Sequence, residues 1–213
     1  MLNKILAIAA RFCESTKKPG REELKYVRFT PKGKYIEACA TDSYRACYIT
    51  DRLPYALSEA PCVPGEGKPL QLDKEMLISG ETVLDVAKGL KSNKALPILE
   101  EARLYSQEGT DEVYKLISTD LEHVNSKTFR PLKSEFPNLD MVVKEIPPAV
   151  IKIEVNAQYL MEAAKAAHDL NKDGSYHGFD TVTLEIVDSK TPIRLVTTSH
   201  RYDCVQVIMP IRQ

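Results

Sequence analysis

Apolar residues recur along the chain with two alternating periods. Leu2, Ile5, Leu6, Ala9, Phe12 and Cys13 share one face at helical spacing, while Lys4, Arg11 and Lys18 run along the opposite face. Alternation with period two follows: Tyr26 to Phe29, a Pro31-Lys32-Gly33 turn, then Tyr35 to Cys39. The same order returns twice. Val83, Leu84, Ala87 and Leu90 form a second helical stripe, with Lys88 and Lys91 off it, ahead of the strand pair Ala102–Tyr105 and Tyr114–Ile117. Tyr159, Leu160, Ala163, Ala164 and Ala167 form a third, with Gln158, Glu162, Lys165, Asp169 and Lys172 facing out. It precedes Val182–Ile186, an Asp188-Ser189-Lys190 turn and Ile193–Val196.

Each strand pair runs into a threonine-centred motif: Ala40-Thr41-Asp42-Ser43-Tyr44-Arg45, Ser118-Thr119-Asp120-Leu121-Glu122-His123 and Val196-Thr197-Thr198-Ser199-His200-Arg201. Thr41, Thr119 and Thr197 are equally spaced, 78 residues apart. Three repeats of a helix-plus-hairpin unit are therefore expected, in an α+β class with helices on one face of antiparallel sheets. Two segments read as linkers, Asp51–Lys68 and Phe136–Pro148, the second ending in two prolines. They divide the chain into a two-unit domain over 1–140 and a single unit over 150–213.

Composition narrows the function classes. Lys+Arg is 29 and Asp+Glu is 30, for a net charge of −1, which excludes a uniformly cationic nucleic-acid binder but not a basic face balanced by an acidic one. With 9 glycines and neither glycine-rich phosphate fingerprint, the common nucleotide cradles are absent. The 5 cysteines (13, 39, 47, 62 and 204) make no C-x-x-C pair, and Cys39 and Cys47 read as small apolar strand residues, so a reducing, cytoplasmic location is expected. The apolar start is too short for a signal peptide, being ended by Arg11, and no run is long enough to span a membrane.

Catalytic and metal constellations are missing from the pattern. His200 and Cys204 on one strand would stand about 13 Å apart, too far for a nucleophile and its base. The histidines (123, 168, 177 and 200) lack metal-ligand spacing. Asn171-Lys172-Asp173-Gly174-Ser175 lacks the spaced acids and final Glu of a calcium loop. No enzyme activity, metal or cofactor is expected.

Three local signatures resemble the beta subunit of bacterial DNA polymerase III, the sliding clamp. Thr41-Asp42-Ser43-Tyr44-Arg45-Ala46 is similar to that family's T-D-G-H-R-L strand, and Glu135-Phe136-Pro137-Asn138-Leu139-Asp140 to its F-P-D/N connector. Val155-Asn156-Ala157-Gln158-Tyr159-Leu160 and Val207-Ile208-Met209-Pro210-Ile211-Arg212 are similar to its F-N-x-x-Y-L helix start and Y-V-x-M-P-M-R terminus. The resemblance implies β-α-β-β-β units, twelve to a ring around duplex DNA, and a hydrophobic cleft for the short linear peptides of polymerases and other clamp-binding proteins. Matched positions give the cleft as Thr41, Ser43, Tyr44, Arg45 and Ala46, then Pro137, Met141 and Val142, then Asn156 and Tyr159, then Met209, Pro210 and Ile211. Lys4, Arg11, Lys18, Lys88, Lys91 and Lys165 would touch the DNA backbone. The expected function is a processivity factor that tethers partners to DNA.

The chain also departs from the family. It has three units where a clamp chain has six, and the segment before Ile151 has no room for the other half of the last domain. Tyr44, Ala46 and Ile211 stand where the family has His, Leu and Met. Four chains would be needed for twelve units, and an odd number of units per chain would make neighbours in such a ring alternate in orientation. The alternative reading is a clamp-derived peptide-binding module or competitor that does not encircle DNA. From the residues alone, Met209-Pro210-Ile211 also reads as a terminal edge strand, Tyr159 as a core tyrosine, and the spaced lysines and arginine as a solvated helix face.

Overall fold

The computed structural model describes residues 2–16, 19–33, 35–52, 63, 66, 68–91, 99–107, 110, 112–171, 181–198 and 203–211. The chain divides into two compact units, Met1–Val143 and Lys144–Gln213.

In the first unit, β1 (Leu2–Asn3) leads into a 3-10 helix (Leu6–Phe12), then β2 (Tyr26–Lys32), β3 (Tyr35–Thr41) and β4 (Ala46–Arg52). The plan repeats with β5 (Met76–Ser79), α1 (Gly80–Lys88), β6 (Glu101–Ser106), β7 (Tyr114–Thr119) and β8 (Val124–Phe129). The two repeats exchange their first strands. β5 pairs with β2 (Val27 opposite Ile78, Phe29 opposite Met76), and β1 pairs with β6 (Leu2 opposite Ala102), all antiparallel. The sheet orders are β4-β3-β2-β5 and β1-β6-β7-β8.

One core joins both sheets to both helices. Leu2, Leu6, Val27, Phe29, Ile78, Val83, Val86, Leu104 and Leu116 lie in it, fully buried. Each such side chain contributes on the order of 1.5–3 kcal/mol by leaving water. The inward residues alternate along β2 and β3, as period two requires (Val27 and Phe29; Ile36, Ala38 and Ala40).

Three details differ from the sequence pattern. The first segment is not a helix from its start: Leu2 is held by the sheet, and Asn3 Oδ1 accepts the Leu6 N–H at 2.8 Å, so the helix begins after it. Its 3-10 pitch brings Ala7 and Ala10 inward and leaves Ile5 57% exposed. On α1, Val86 is buried and Leu84 is not. The segment from Phe136 to Pro148 is more than a linker. Phe136 is buried against Cys39, Leu77, Tyr26 and Tyr48, and α2 (Leu139–Glu145) follows, with Asn138 Oδ1 accepting the Met141 N–H at 3.3 Å. Most of Asp51–Lys68 lies outside the described residues, but Asp51 and Arg52 belong to β4.

The second unit holds α3 (Ala157–Asn171) over a sheet ordered β11-β10-β9, made of β9 (Thr183–Glu185), β10 (Ile193–Thr198) and β11 (Asp203–Ile208). Ala163, Ile193, Leu195 and Ile208 form its core. Ala167 is buried, but Tyr159, Leu160 and Ala164, expected inward, are exposed. Past β11 the chain turns back along the segment before α3: Val155 bridges Pro210, and the Ile211 N–H donates to the Glu154 carbonyl at 2.8 Å.

The third threonine of the repeat is Thr198, not Thr197. Thr41 opposes Ala46 and Thr119 opposes Val124 across their hairpins, each five residues on. The pair with that separation in the second unit is Thr198 with Asp203. Thr197 takes the position of Ala40, on the inward face, and is buried.

Candidate functional site

The first threonine motif is a tight turn, and the second repeats it bond for bond. Thr41 Oγ1 donates to the Arg45 carbonyl at 2.8 Å and accepts the Ser43 N–H at 3.1 Å; Thr119 Oγ1 does the same with His123 (2.9 Å) and Leu121 (3.0 Å). Asp42 Oδ1 accepts the N–H groups of Tyr44 and Arg45, as Asp120 Oδ1 accepts those of Glu122 and His123. Ser43 and Leu121 take positive φ, 75° and 79°. The motif is thus a folding signal: a hydroxyl closes the turn and a carboxylate caps its free amides.

Charge follows from this geometry. Burial pushes the Asp42 carboxyl up, but the Arg45 guanidinium and the two amides outweigh it and hold the group below its ordinary range. The His123 amide, first among several donors, lowers Asp120.

Of the residues expected to bind peptide, Thr41, Ser43, Tyr44, Arg45 and Ala46 lie in or beside the first turn. Tyr44 projects into solvent, 97% exposed. Arg45 is held by Asp42 Oδ2 (Nε at 2.9 Å), by the Arg11 carbonyl (3.1 Å) and over the Phe12 ring (5.0 Å). Pro137 follows the buried Phe136, and Met141 and Val142 lie exposed on α2. Arg28 pins this connector: its guanidinium stacks on Phe136 at 5.1 Å and stands 3.8 Å from both Glu37 and Asp140.

The remaining cleft residues belong to the second unit. Asn156 starts α3, its Oδ1 accepting the Gln158 N–H at 2.9 Å. Tyr159 and Met209 line one groove of about 420 Å³ between α3 and β11, with Glu162, Gln206 and Val207. Gln206 Nε2 donates to the Ala163 carbonyl at 3.1 Å, fixing the groove floor. Pro210 and Ile211 lie just beyond, in the tail paired to Val155 and Glu154. Glu162, Gln206 and Val207 were not assigned to the cleft from the sequence, although Val207 stands in the matched terminal motif beside Met209.

The expected DNA contacts are mixed with acids. Lys4, Arg11 and Lys88 line a groove of about 750 Å³ between the 3-10 helix and α1, together with Lys25, Glu14, Glu81 and Asp85. Lys88 is paired with Asp85 at 2.8 Å and Lys91 with Asp120 at 3.4 Å. Lys165 is exposed on α3. Lys18, His177 and His200 lie outside the described residues, as does most of the Asn171–Ser175 segment. Among the described residues no three His, Cys, Asp or Glu side chains are grouped to hold a metal ion.

No family model matches the chain, and no curated protein matches its sequence. Solved structures do match. The DNA polymerase sliding clamp of Bacillus subtilis superposes with a TM-score of 0.68 at 16% identity, over 97% of this chain and 46% of that one. The fold is that of the bacterial DNA sliding clamp. The beta subunit from DNA polymerase of Streptococcus pyogenes matches with a TM-score of 0.67 at 18% identity, over 98% of this chain and 47% of that one. The DNA polymerase III beta subunit of Thermotoga maritima gives 0.61 at 17% identity, over 97% and 47%. The chain therefore spans about half the length of these clamps. In clamp-fold terms, its first unit is a strand-exchanged pair of repeats and its second is a single repeat.

Proposed function

We propose that this protein is a clamp-type tether that captures the short linear peptides of DNA polymerases or other clamp-binding proteins and carries them on duplex DNA. The observation that supports it is the groove shared by Tyr159, Val207 and Met209 at the end of a clamp-fold repeat. The Tyr159, Val207 and Met209 side chains offer apolar contact to one or two peptide side chains, and Glu162 and Gln206 offer polar groups for orientation. The turn residues Thr41, Ser43, Tyr44, Arg45 and Ala46, and the connector residues Pro137, Met141 and Val142, are proposed as further peptide contacts on the matched motif positions. Asn156, Pro210 and Ile211, beside the groove, are proposed as peptide contacts on the same basis.

DNA contact would be made through phosphates by Lys4, Arg11, Lys18, Lys88, Lys91 and Lys165, independent of sequence and weakened by salt. Self-association into a closed ring would turn such weak contacts into a sliding attachment. The second reading, a peptide-binding module that does not encircle DNA, is favoured by the acids interleaved in the basic groove and by the Lys88–Asp85 and Lys91–Asp120 pairs.

Peptide binding is tested by titrating a fluorescent clamp-binding peptide. Tyr159→Ala should weaken it by roughly 1–3 kcal/mol, the cost of an aromatic anchor. Unchanged affinity in both Tyr159→Ala and Met209→Ala would refute the groove. Retention on circular but not linearised DNA separates the tether from the free module.

A further inference from the structure

We infer that the second unit is completed by the second unit of another copy of the chain, through the same strand exchange that joins the two repeats of the first unit. This rests on the internal repeat alone, not on any reading of DNA or peptide binding.

The repeats can be aligned residue by residue. Arg28 opposes Cys39, Arg103 opposes Ile117 and Thr183 opposes Val196, each partner lying two residues before the motif threonine. Val27, Ala102 and Val182 are therefore equivalent. In the first unit Val27 pairs with Ile78 and Ala102 with Leu2. Ile78 and Leu2 immediately precede Ser79 and Asn3, whose side chains accept the N–H groups of Thr82 and Leu6 at the two helix starts. The corresponding residue before α3 is Val155, preceding the capping Asn156.

The outer edge of that segment is already arranged as in the first unit. There the Leu132 N–H donates to the Leu77 carbonyl at 3.1 Å; here the Ile211 N–H donates to the Glu154 carbonyl. Leu77 and Glu154 hold the same position, two before the cap. Because successive residues of a strand point their amide groups to opposite edges, Ile153 and Val155 present theirs on the side that β5 gives to β2. Among the described residues, the named strands leave that side, and the outer edge of β9, unpaired.

The apolar surface agrees. Phe29 is 0% exposed, whereas its equivalent Leu184 is 52% exposed. Val83, four residues past its cap, is 0% exposed; Leu160, at the same place on α3, is 38% exposed. Met161 matches Leu84, which faces the neighbouring helix across the 3-10/α1 groove, and it too is open.

The occupant is a second copy for two reasons. The exchange joins like with like, and of the three described repeats the first and second already satisfy each other, so the third repeat of another copy is the one with the same face open. A two-fold axis then makes the exchange reciprocal. Its register sets Val182 opposite Val155, Leu184 opposite Ile153 and Ile186 opposite Ile151, all apolar, with Glu185 opposite Lys152, of opposite charge. The Tyr159–Met209 groove lies on the β11 side of α3, away from this face.

Sedimentation velocity of the full chain at micromolar concentration should give twice the 23.9 kDa chain mass. Leu184→Lys, at a side chain half open in the lone chain, should return the monomer with unchanged far-UV circular dichroism. Lys152 and Glu185 form a pair without direct backbone hydrogen bonds, the close kind, within disulfide reach. Lys152→Cys with Glu185→Cys should therefore yield a disulfide-linked dimer on oxidation. Each single variant, and Lys152→Cys with Thr183→Cys two residues out of register, should not. A monomer for the parent chain overturns the inference, as does a dimer that survives Leu184→Lys or fails to crosslink in register. These readouts use no DNA and no peptide, so they fail or succeed separately from the tether reading.

Discussion

Phe136→Ala tests whether the connector after β8 is a packed part of the first unit. Phe136 is buried against Cys39, Leu77, Tyr26, Tyr48, Leu132 and Leu139, on the face of the β4-β3-β2-β5 sheet opposite the main core. Removing a buried ring costs about 3–5 kcal/mol in lost transfer and residual cavity. The Arg28 guanidinium stacked on that ring adds about 0.5–2 kcal/mol, toward the upper end because Arg28 is itself buried. A total near 4–7 kcal/mol is a large share of a domain's stability. In urea unfolding followed by tyrosine fluorescence, the midpoint of the first unit should fall steeply with an unchanged slope. Phe136→Leu, which keeps most of the volume and loses the stacking, should lose roughly 1–2 kcal/mol. Asp140→Asn should lose under about 1 kcal/mol, because its carboxylate is half-exposed. A loss below about 1 kcal/mol for Phe136→Ala would refute the reasoning, since no buried ring is removed so cheaply.

Gly80→Ala should destabilise by about 1–3 kcal/mol in the same assay, because the added methyl would meet Cys13 Sγ at 3.0 Å and Cβ at 3.1 Å where the 3-10 helix crosses α1; equal stability would mean the two helices are free to separate. Asp42 and Asp120 are both held below the ordinary carboxylate range, so their stabilisation is complete above about pH 4 and fades as pH falls through their folded values. Asp42→Asn with Asp120→Asn, which keeps an acceptor for the turn amides, should flatten the acid side of the curve of unfolding midpoint against pH; an unchanged acid limb would count against the two turns. Burial pushes the Cys13 and Cys39 thiols up to about 12 and about 11, so neither should be alkylated by iodoacetamide at pH 8 in the native state, and mass mapping that finds either one modified as fast as a denatured control would contradict their packing.

The fold was legible because hairpins announce themselves. Tyr26–Phe29 with Tyr35–Cys39, and Val182–Ile186 with Ile193–Val196, alternate over short stretches between turn residues, and both pair antiparallel in the structure. Strand exchange was not legible. β1 is only Leu2 and Asn3, too short for period two to differ from period 3.6, and its partner Ala102 lies 100 residues away. Helical spacing therefore absorbed Leu2 into the first helix. Phe136 and Arg28 were missed for a related reason: an aromatic in a proline-rich connector and an arginine on the outward phase of a strand both look solvated until stacked on each other.

The candidate site divides along the same line. Tyr159, Asn156 and Met209 came from matched motifs, and within the second unit Tyr159 and Met209 do share a groove. Val207 stood in a matched motif without being assigned to the cleft, and Glu162 and Gln206 lay in none, because a helix-face acid and a polar residue under the helix are not seen to meet until the helix is laid on the sheet. The most instructive misreading is the inward stripe of α3. Tyr159, Leu160, Ala163, Ala164 and Ala167 repeat at helical spacing, yet only Ala163 and Ala167 are buried. The stripe is wider than one three-stranded sheet can cover. On α1 the same width is used on two sides, Val83 and Val86 against the sheets and Gly80, Leu84 and Ala87 toward the 3-10 helix. A stripe of that breadth encodes two contacts, and among the described residues of the second unit α3 makes only one of them.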